Sequence, residues 1–262
     1  MLYQVTDWDD AYANTPNIPN GEAYRDRFVA MALAFRHSAN TEPLGRGHLF
    51  LPPSEAKGLM VFIHGGYWMH SDPSYWSHLA QGALARGWAV AMPGYPLTPT
   101  VRLAEITTHV AEELALAAAR IDGPIALTGH SAGGHLAARM ICDDGTLPDE
   151  VAERVQSCVP ISGLFDLRSL MRTSMNETLQ LNEAEAQRES PALLIPRQGI
   201  PVTTWVGGME RPEFLRQSRL LADIWAGLGI ATETVVDPGL HHFNVIDGLC
   251  EAESPLMRCL LD

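Results

Sequence analysis

Six short apolar runs punctuate the chain, at residues 58–63, 88–92, 125–128, 157–161, 202–206 and 232–236. They are mostly continuous rather than alternating, which suits strands covered on both faces. Between them the spacing switches to a helical period, predicting helices near 75–86, 103–120, 132–142 and 212–228. The stretch from Leu103 to Arg120 is the clearest, rich in Ala, Leu and Glu with few breakers. Alternating strand and helix units predict an α/β fold: a doubly wound, mostly parallel sheet with helices on both faces. No internal repeat or low-complexity linker divides the sequence, so one domain over 1–262 is expected. Residues 7–45 and 165–200 show no clear period. Ligands of doubly wound sheets sit beyond the carboxyl ends of the strands, so these two segments are expected to wall or cover a pocket there.

Charge and composition narrow the partners. The chain has 18 basic and 31 acidic residues, a net charge of −13. Such a field repels phosphate backbones and anionic membranes, so a small-molecule substrate is expected and nucleic acid is not. A 46% hydrophobic content supplies a sizeable core. No run approaches the roughly 18 apolar residues of a membrane span. Nor does the N-terminus carry a basic region followed by an apolar run, so the cytoplasm is the expected compartment. Cys142, Cys158, Cys250 and Cys259 lie far apart with no C-x-x-C, which reads as buried thiols rather than a disulfide or zinc framework. Nothing here fixes the oligomeric state; a homo-oligomer is compatible with all of it.

The chemistry concentrates after the apolar runs. Gly129-His130-Ser131-Ala132-Gly133 directly follows the run 125–128 and opens a helical one. That strand–turn–helix setting holds a nucleophilic serine on a strained, exposed elbow. Ala132, next to the serine, sits at a helix N-terminus where its N–H meets developing negative charge. His64-Gly65-Gly66-Tyr67-Trp68 follows the run ending at Ile63, the position from which such folds supply further oxyanion donors, here Gly66 and Tyr67. The order along the chain should be serine, acid, histidine. After Ser131 the histidines are His135, on the elbow helix and aimed away, and the pair His241 and His242; either of the pair can be the base. Glu210 and Glu213 both follow the run 202–206. Glu210 leaves it first and is favoured, whereas Glu213 sits on a first helical turn, where a carboxylate also offsets the helix dipole. No G-x-G-x-x-G, P-loop or H-E-x-x-H occurs, and the other histidines show no metal-ligand spacing, so neither cofactor nor metal is expected.

The H-G-G-Y-W and G-H-S-A-G-G-H stretches together resemble the kynurenine formamidase (arylformamidase) branch of the α/β-hydrolases. Further similar stretches are Tyr95-Pro96-Leu97-Thr98-Pro99, Ile161-Ser162-Gly163-Leu164-Phe165-Asp166-Leu167, Pro212-Glu213-Phe214-Leu215 and His242-Phe243-Asn244-Val245-Ile246. The likeness runs from about residue 8 to 250. It implies an α/β-hydrolase fold with Ser131 as nucleophile, His242 as base and Glu210 as acid. It also implies hydrolysis of N-formyl-L-kynurenine to L-kynurenine and formate without a cofactor. Tyr67 and Trp68 would then wall the aryl part, Trp68 being equally placed to join the core, and His241 would touch substrate. The chain departs from the family pattern twice, with Glu210 at a usual aspartate and His241 at a usual carboxylate. A carboxylesterase or thioesterase using the same three residues is the alternative, and a silent ligand-binding scaffold is disfavoured by the intact set.

Overall fold

The computed structural model describes residues 4–262. All six predicted strands form, within an eight-stranded sheet. The strands are β1 (Thr41–Leu44), β2 (Gly47–Phe50), β3 (Leu59–Ile63), β4 (Ala89–Met92), β5 (Ile125–His130), β6 (Val155–Ile161), β7 (Val202–Gly207) and β8 (Thr232–Asp237). Their order is β1-β2-β4-β3-β5-β6-β7-β8. Pairing is parallel from β4 through β8, while β1 and β2 form an antiparallel hairpin added to β4.

Period-2 geometry explains the unbroken apolar runs. Leu59, Val61, Ile63 and Leu127 face one layer, with helices Leu103–Ala118, Ala132–Met140 and Pro212–Gly227. Met60, Phe62, Val90 and Ala126 face the other, against Phe28, Trp76, Leu79 and Met257. The inner strands β3 to β7 are therefore apolar on both sides, whereas the edge strands β1 and β8 are only partly buried. Among the described residues no helix is long and apolar enough to cross a membrane.

Two expectations need correction. Residues 7–45 are not irregular: they hold helices Trp8–Tyr12 and Ala23–Arg36 and strand β1. The longer helix buries just Phe28 and Ala32 among its 14 residues, too narrow a stripe to read as a period. Pro43 and Gly45 disguise the hairpin, Pro being tolerated there because the strand lies at the sheet edge. The helix predicted at 75–86 is instead a 3-10 helix, Pro73–Ala80, followed by one α-helical turn, Gln81–Ala85.

Candidate active site

The loops after β3, β5, β7 and β8 build the site. At the end of β5, Ser131 takes φ 57° and ψ −117°, a conformation that costs an L-residue about 1–3 kcal/mol. The surroundings enforce it. Ser131 N–H donates to Ile161 O (2.9 Å), and Ser131 O accepts from His135 N–H (3.1 Å). A Cβ on Gly133 would stand 1.9 Å from Ile63 O, and one on Gly129 2.2 Å from Gly133 O. Both obstacles are backbone, so glycine is required at each position.

Because β3 neighbours β5, the His64–Gly65–Gly66 loop lies against this elbow; a Cβ on Gly65 would come within 3.1 Å of Ser131 Cβ. Gly66, Tyr67 and Trp68 all have positive φ. Their turn is closed by Met69 and His70 N–H groups donating to Gly66 O (3.0 and 2.9 Å). The N–H groups of Gly66, Tyr67 and Ala132 have no acceptor among the described residues, leaving three free donors on the two loops flanking Ser131. His64 stacks on Tyr95 with ring centroids 4.2 Å apart. Burial pushes its pKa down to about 4, so it is a neutral support beneath the loop.

Glu210 and His242 meet across two strands. His242 Nδ1 donates to Glu210 Oε2 (2.6 Å). The other carboxylate oxygen accepts from Ser162 Oγ (2.5 Å) and Gly207 N–H (2.8 Å). Three donors thus fix the Glu210 carboxylate, and Nε2 is the ring nitrogen of His242 that this contact leaves unengaged. The histidine loop crosses directly over Gly207, where a Cβ would stand 2.4 Å from Leu240 O. Met209 N–H donates to Leu240 O (2.9 Å), and His130 Nε2–H donates to His242 O (2.8 Å). His130, the residue preceding Ser131, therefore pins the backbone of His242. Burial, with the adjacent His242 ring, holds the His130 pKa well below the ordinary imidazole value, so the ring stays neutral.

Ser131, His242, Gly66 and Tyr67 share the wall of a cavity of about 590 Å³, within the usual size for small-molecule sites. No hydrogen bond joins Ser131 Oγ to His242 among the described residues. Asn14, Thr15, Gly21, Glu22, Tyr24, Arg25 and Phe28 complete much of the wall, so part of the N-terminal segment lines this cavity. Residues 165–200 line none of it. They pack behind the elbow helix, where His135 Nε2–H donates to Glu189 O (2.6 Å) and Arg139 pairs with the Glu189 carboxylate (3.2 Å).

Other expected residues lie elsewhere. Trp68 is fully buried, edge-on to His135 at 5.1 Å, and is core rather than pocket wall. Its left-handed φ of 58° turns it inward, away from Tyr67. Tyr67 does reach the cavity, and its hydroxyl is tied down, donating to Tyr12 O (2.6 Å) and accepting from Asn14 Nδ2 (2.9 Å). His241 sits outside the wall and bonds the Tyr24 hydroxyl (3.0 Å). Glu213 is buried in a separate network, accepting from Tyr12 Oη (2.9 Å) and pairing with Arg216 (2.6 Å). Ser162 and His130 were missed by sequence reasoning. A Ser-Gly pair directly after a buried strand is the one local signal for Ser162; nothing local marks His130. Among the described residues, no group of three or more His, Cys, Asp or Glu could hold a metal.

With this geometry in place, the comparisons with known proteins become decisive for the family. The model of the alpha/beta hydrolase family matches residues 60–255. This chain belongs to that family. It is a hydrolase, and its relatives point to one branch. The kynurenine formamidase of Danio rerio is 30% identical over 225 residues, 81% of this chain and 75% of that protein. That of Salmo salar is 28% identical over 214 residues, 78% and 71% respectively. The hydrolase is thus kynurenine formamidase-like. Among solved structures, a candidate thioesterase from Silicibacter sp. is 47% identical with a TM-score of 0.92, covering 97% of this chain and 98% of that one. An esterase from Pyrobaculum calidifontis, 18% identical with a TM-score of 0.67 over 90% of both chains, shares the fold.

Proposed function

We propose that this hydrolase deformylates N-formyl-L-kynurenine through Ser131, His242 and Glu210. The carrying observation is the Glu210–His242 contact of 2.6 Å on the wall that also presents Ser131. A carboxylate on Nδ1 orients the ring and stabilises the imidazolium that forms when Nε2 takes a proton. In this reading Ser131 Oγ attacks the formyl carbon as its proton passes to His242 Nε2. Charge builds on the former carbonyl oxygen, and the N–H groups of Gly66, Tyr67 and Ala132 receive it. His242 then returns the proton to the aryl nitrogen, the C–N bond breaks and the arylamine leaves. Water, deprotonated by His242, attacks the formyl ester and releases formate and Ser131. The open Ser131–His242 contact fits this scheme, because catalytic hydrogen bonds commonly tighten only with substrate bound. Support for the formyl substrate comes from the kynurenine formamidase relatives and the aromatic wall of the cavity.

Ser131→Ala should fold normally and lose about 10⁴-fold or more in turnover; a folded variant with most of its activity would remove the serine from the mechanism. Thioester or ester cleavage is the second reading, favoured by the 47% identical candidate thioesterase. Measuring kcat/KM on N-formylkynurenine, short p-nitrophenyl esters and acyl thioesters side by side separates the two. The proposal requires the formamide to lead, with formyl preferred over acetyl by more than tenfold.

A further inference from the structure

The cavity has an aromatic interior and a charged mouth. Tyr24, Phe28, Tyr67, Tyr75, Trp76 and Phe243 supply the first. The second is Glu22 and Arg25, at the start of helix Ala23–Arg36, both exposed and both lining the cavity. Among the described residues no other lysine or arginine lines it. Most arginine side chains in this protein are committed to carboxylates or carbonyls; among the described residues, Arg25 has neither. Its guanidinium instead lies 5.8 Å from the Tyr75 ring centroid, which fixes the side chain without occupying its donors. Glu22 likewise has no cationic partner, and although the two are three residues apart they do not pair with each other within 4 Å. A chain of net charge −13 repels a carboxylate-bearing ligand at long range. A lone guanidinium at the mouth is what would admit one.

We propose that Glu22 and Arg25 form a subsite for a zwitterionic α-amino-acid head. Arg25 takes the carboxylate through its planar fork of donors, and Glu22 takes the ammonium. The aromatic body of the ligand then lies along the wall towards Ser131. This deepens the deformylase reading and rests on it for the identity of the reacting bond.

The test compares N-formylkynurenine with ortho-formamidoacetophenone, which keeps the formamide and ring but lacks the amino acid. In Arg25→Gln the kcat/KM ratio of the first to the second should fall about tenfold or more, mainly through KM, with Arg25→Lys restoring part of it. Glu22→Gln should weaken inhibition by L-kynurenine but not by its desamino analogue. A ratio that stays within twofold of the parent in Arg25→Gln overturns the subsite, as does an equal loss on both substrates. Should the parent deformylate neither compound, the deformylase reading fails, and the subsite is judged by inhibition of p-nitrophenyl acetate hydrolysis. There L-kynurenine should inhibit better than ortho-aminoacetophenone, and Arg25→Gln should erase the difference; an unchanged preference overturns the proposal.

Discussion

Replacing Glu210 with glutamine removes a charge while keeping the shape, and the hydrogen bonds around it show why that should be severe. One oxygen accepts from Ser162 Oγ and Gly207 N–H; the other faces His242 Nδ1. A glutamine carbonyl placed at the first position satisfies both of its donors, but the amide NH₂ then points at His242 Nδ1. The imidazole must shift its proton to Nε2, which then has no lone pair with which to take a proton from the serine. Flipping the amide instead sets NH₂ against the buried Gly207 N–H, leaving donors opposed at a cost of about 1–3 kcal/mol. The wrong tautomer is the cheaper outcome, and locking it lowers kcat by about 10³- to 10⁴-fold, or about 4–5.5 kcal/mol of transition-state stabilisation at about 1.4 per decade. Steady-state kinetics on N-formylkynurenine and on p-nitrophenyl acetate should show the same loss, since the defect precedes any choice of acyl group. Circular dichroism should show an intact fold. A folded Glu210→Gln variant within tenfold of the parent on both substrates would refute the assignment of this carboxylate.

Glu213→Gln and His241→Ala should each keep kcat within about tenfold; the first should instead lower stability by about 1–3 kcal/mol in denaturant titration, because Glu213 ties Tyr12 to Arg216. Gly133→Ala should cost more than about 3 kcal/mol or abolish folding, since its Cβ meets the Ile63 carbonyl. Gly145→Ala, with open space but φ +77°, should cost only about 1 kcal/mol; equal melting temperatures for the two variants would contradict this. Burial holds the pKa values of His64, His78 and His135 at about 4, and that of His130 well below the usual 6.5. The unfolded chain therefore binds protons at these rings below about pH 6.5 while the native one does not, so stability should fall as pH drops from 6.5 towards 4. Urea midpoints across that window check it, and a flat profile would count against neutral buried rings.

Local sequence determined the elements that carry the chemistry. Five of the six apolar runs became strands covered on both faces, and continuous apolar character needs no partner to be read; the sixth, 232–236, became the half-buried edge strand β8. Gly129, Gly133 and Ala132 around Ser131 were legible because the tight turn and the helix start are local steric facts. The relation between Glu210 and His242 was only partly so. Their order was readable, but that Glu210 rather than Glu213 stands against His242, held by Ser162 and Gly207 from the ends of two different strands, came only with the fold. Tertiary structure alone moved Trp68 into the core, since the sign of φ at three successive residues decides which side chain faces the cavity. It also brought residues from 14 to 28 to the cavity wall and none from 165–200, because segments without a hydrophobic period declare no face. His130, a motif filler in sequence, became a tether for the His242 backbone because the loop after β8 returns across Gly207. Side chains are selected one by one along the chain, but a site beyond the carboxyl ends of strands is assembled by which loops cross, and that is settled only when the sheet closes its order.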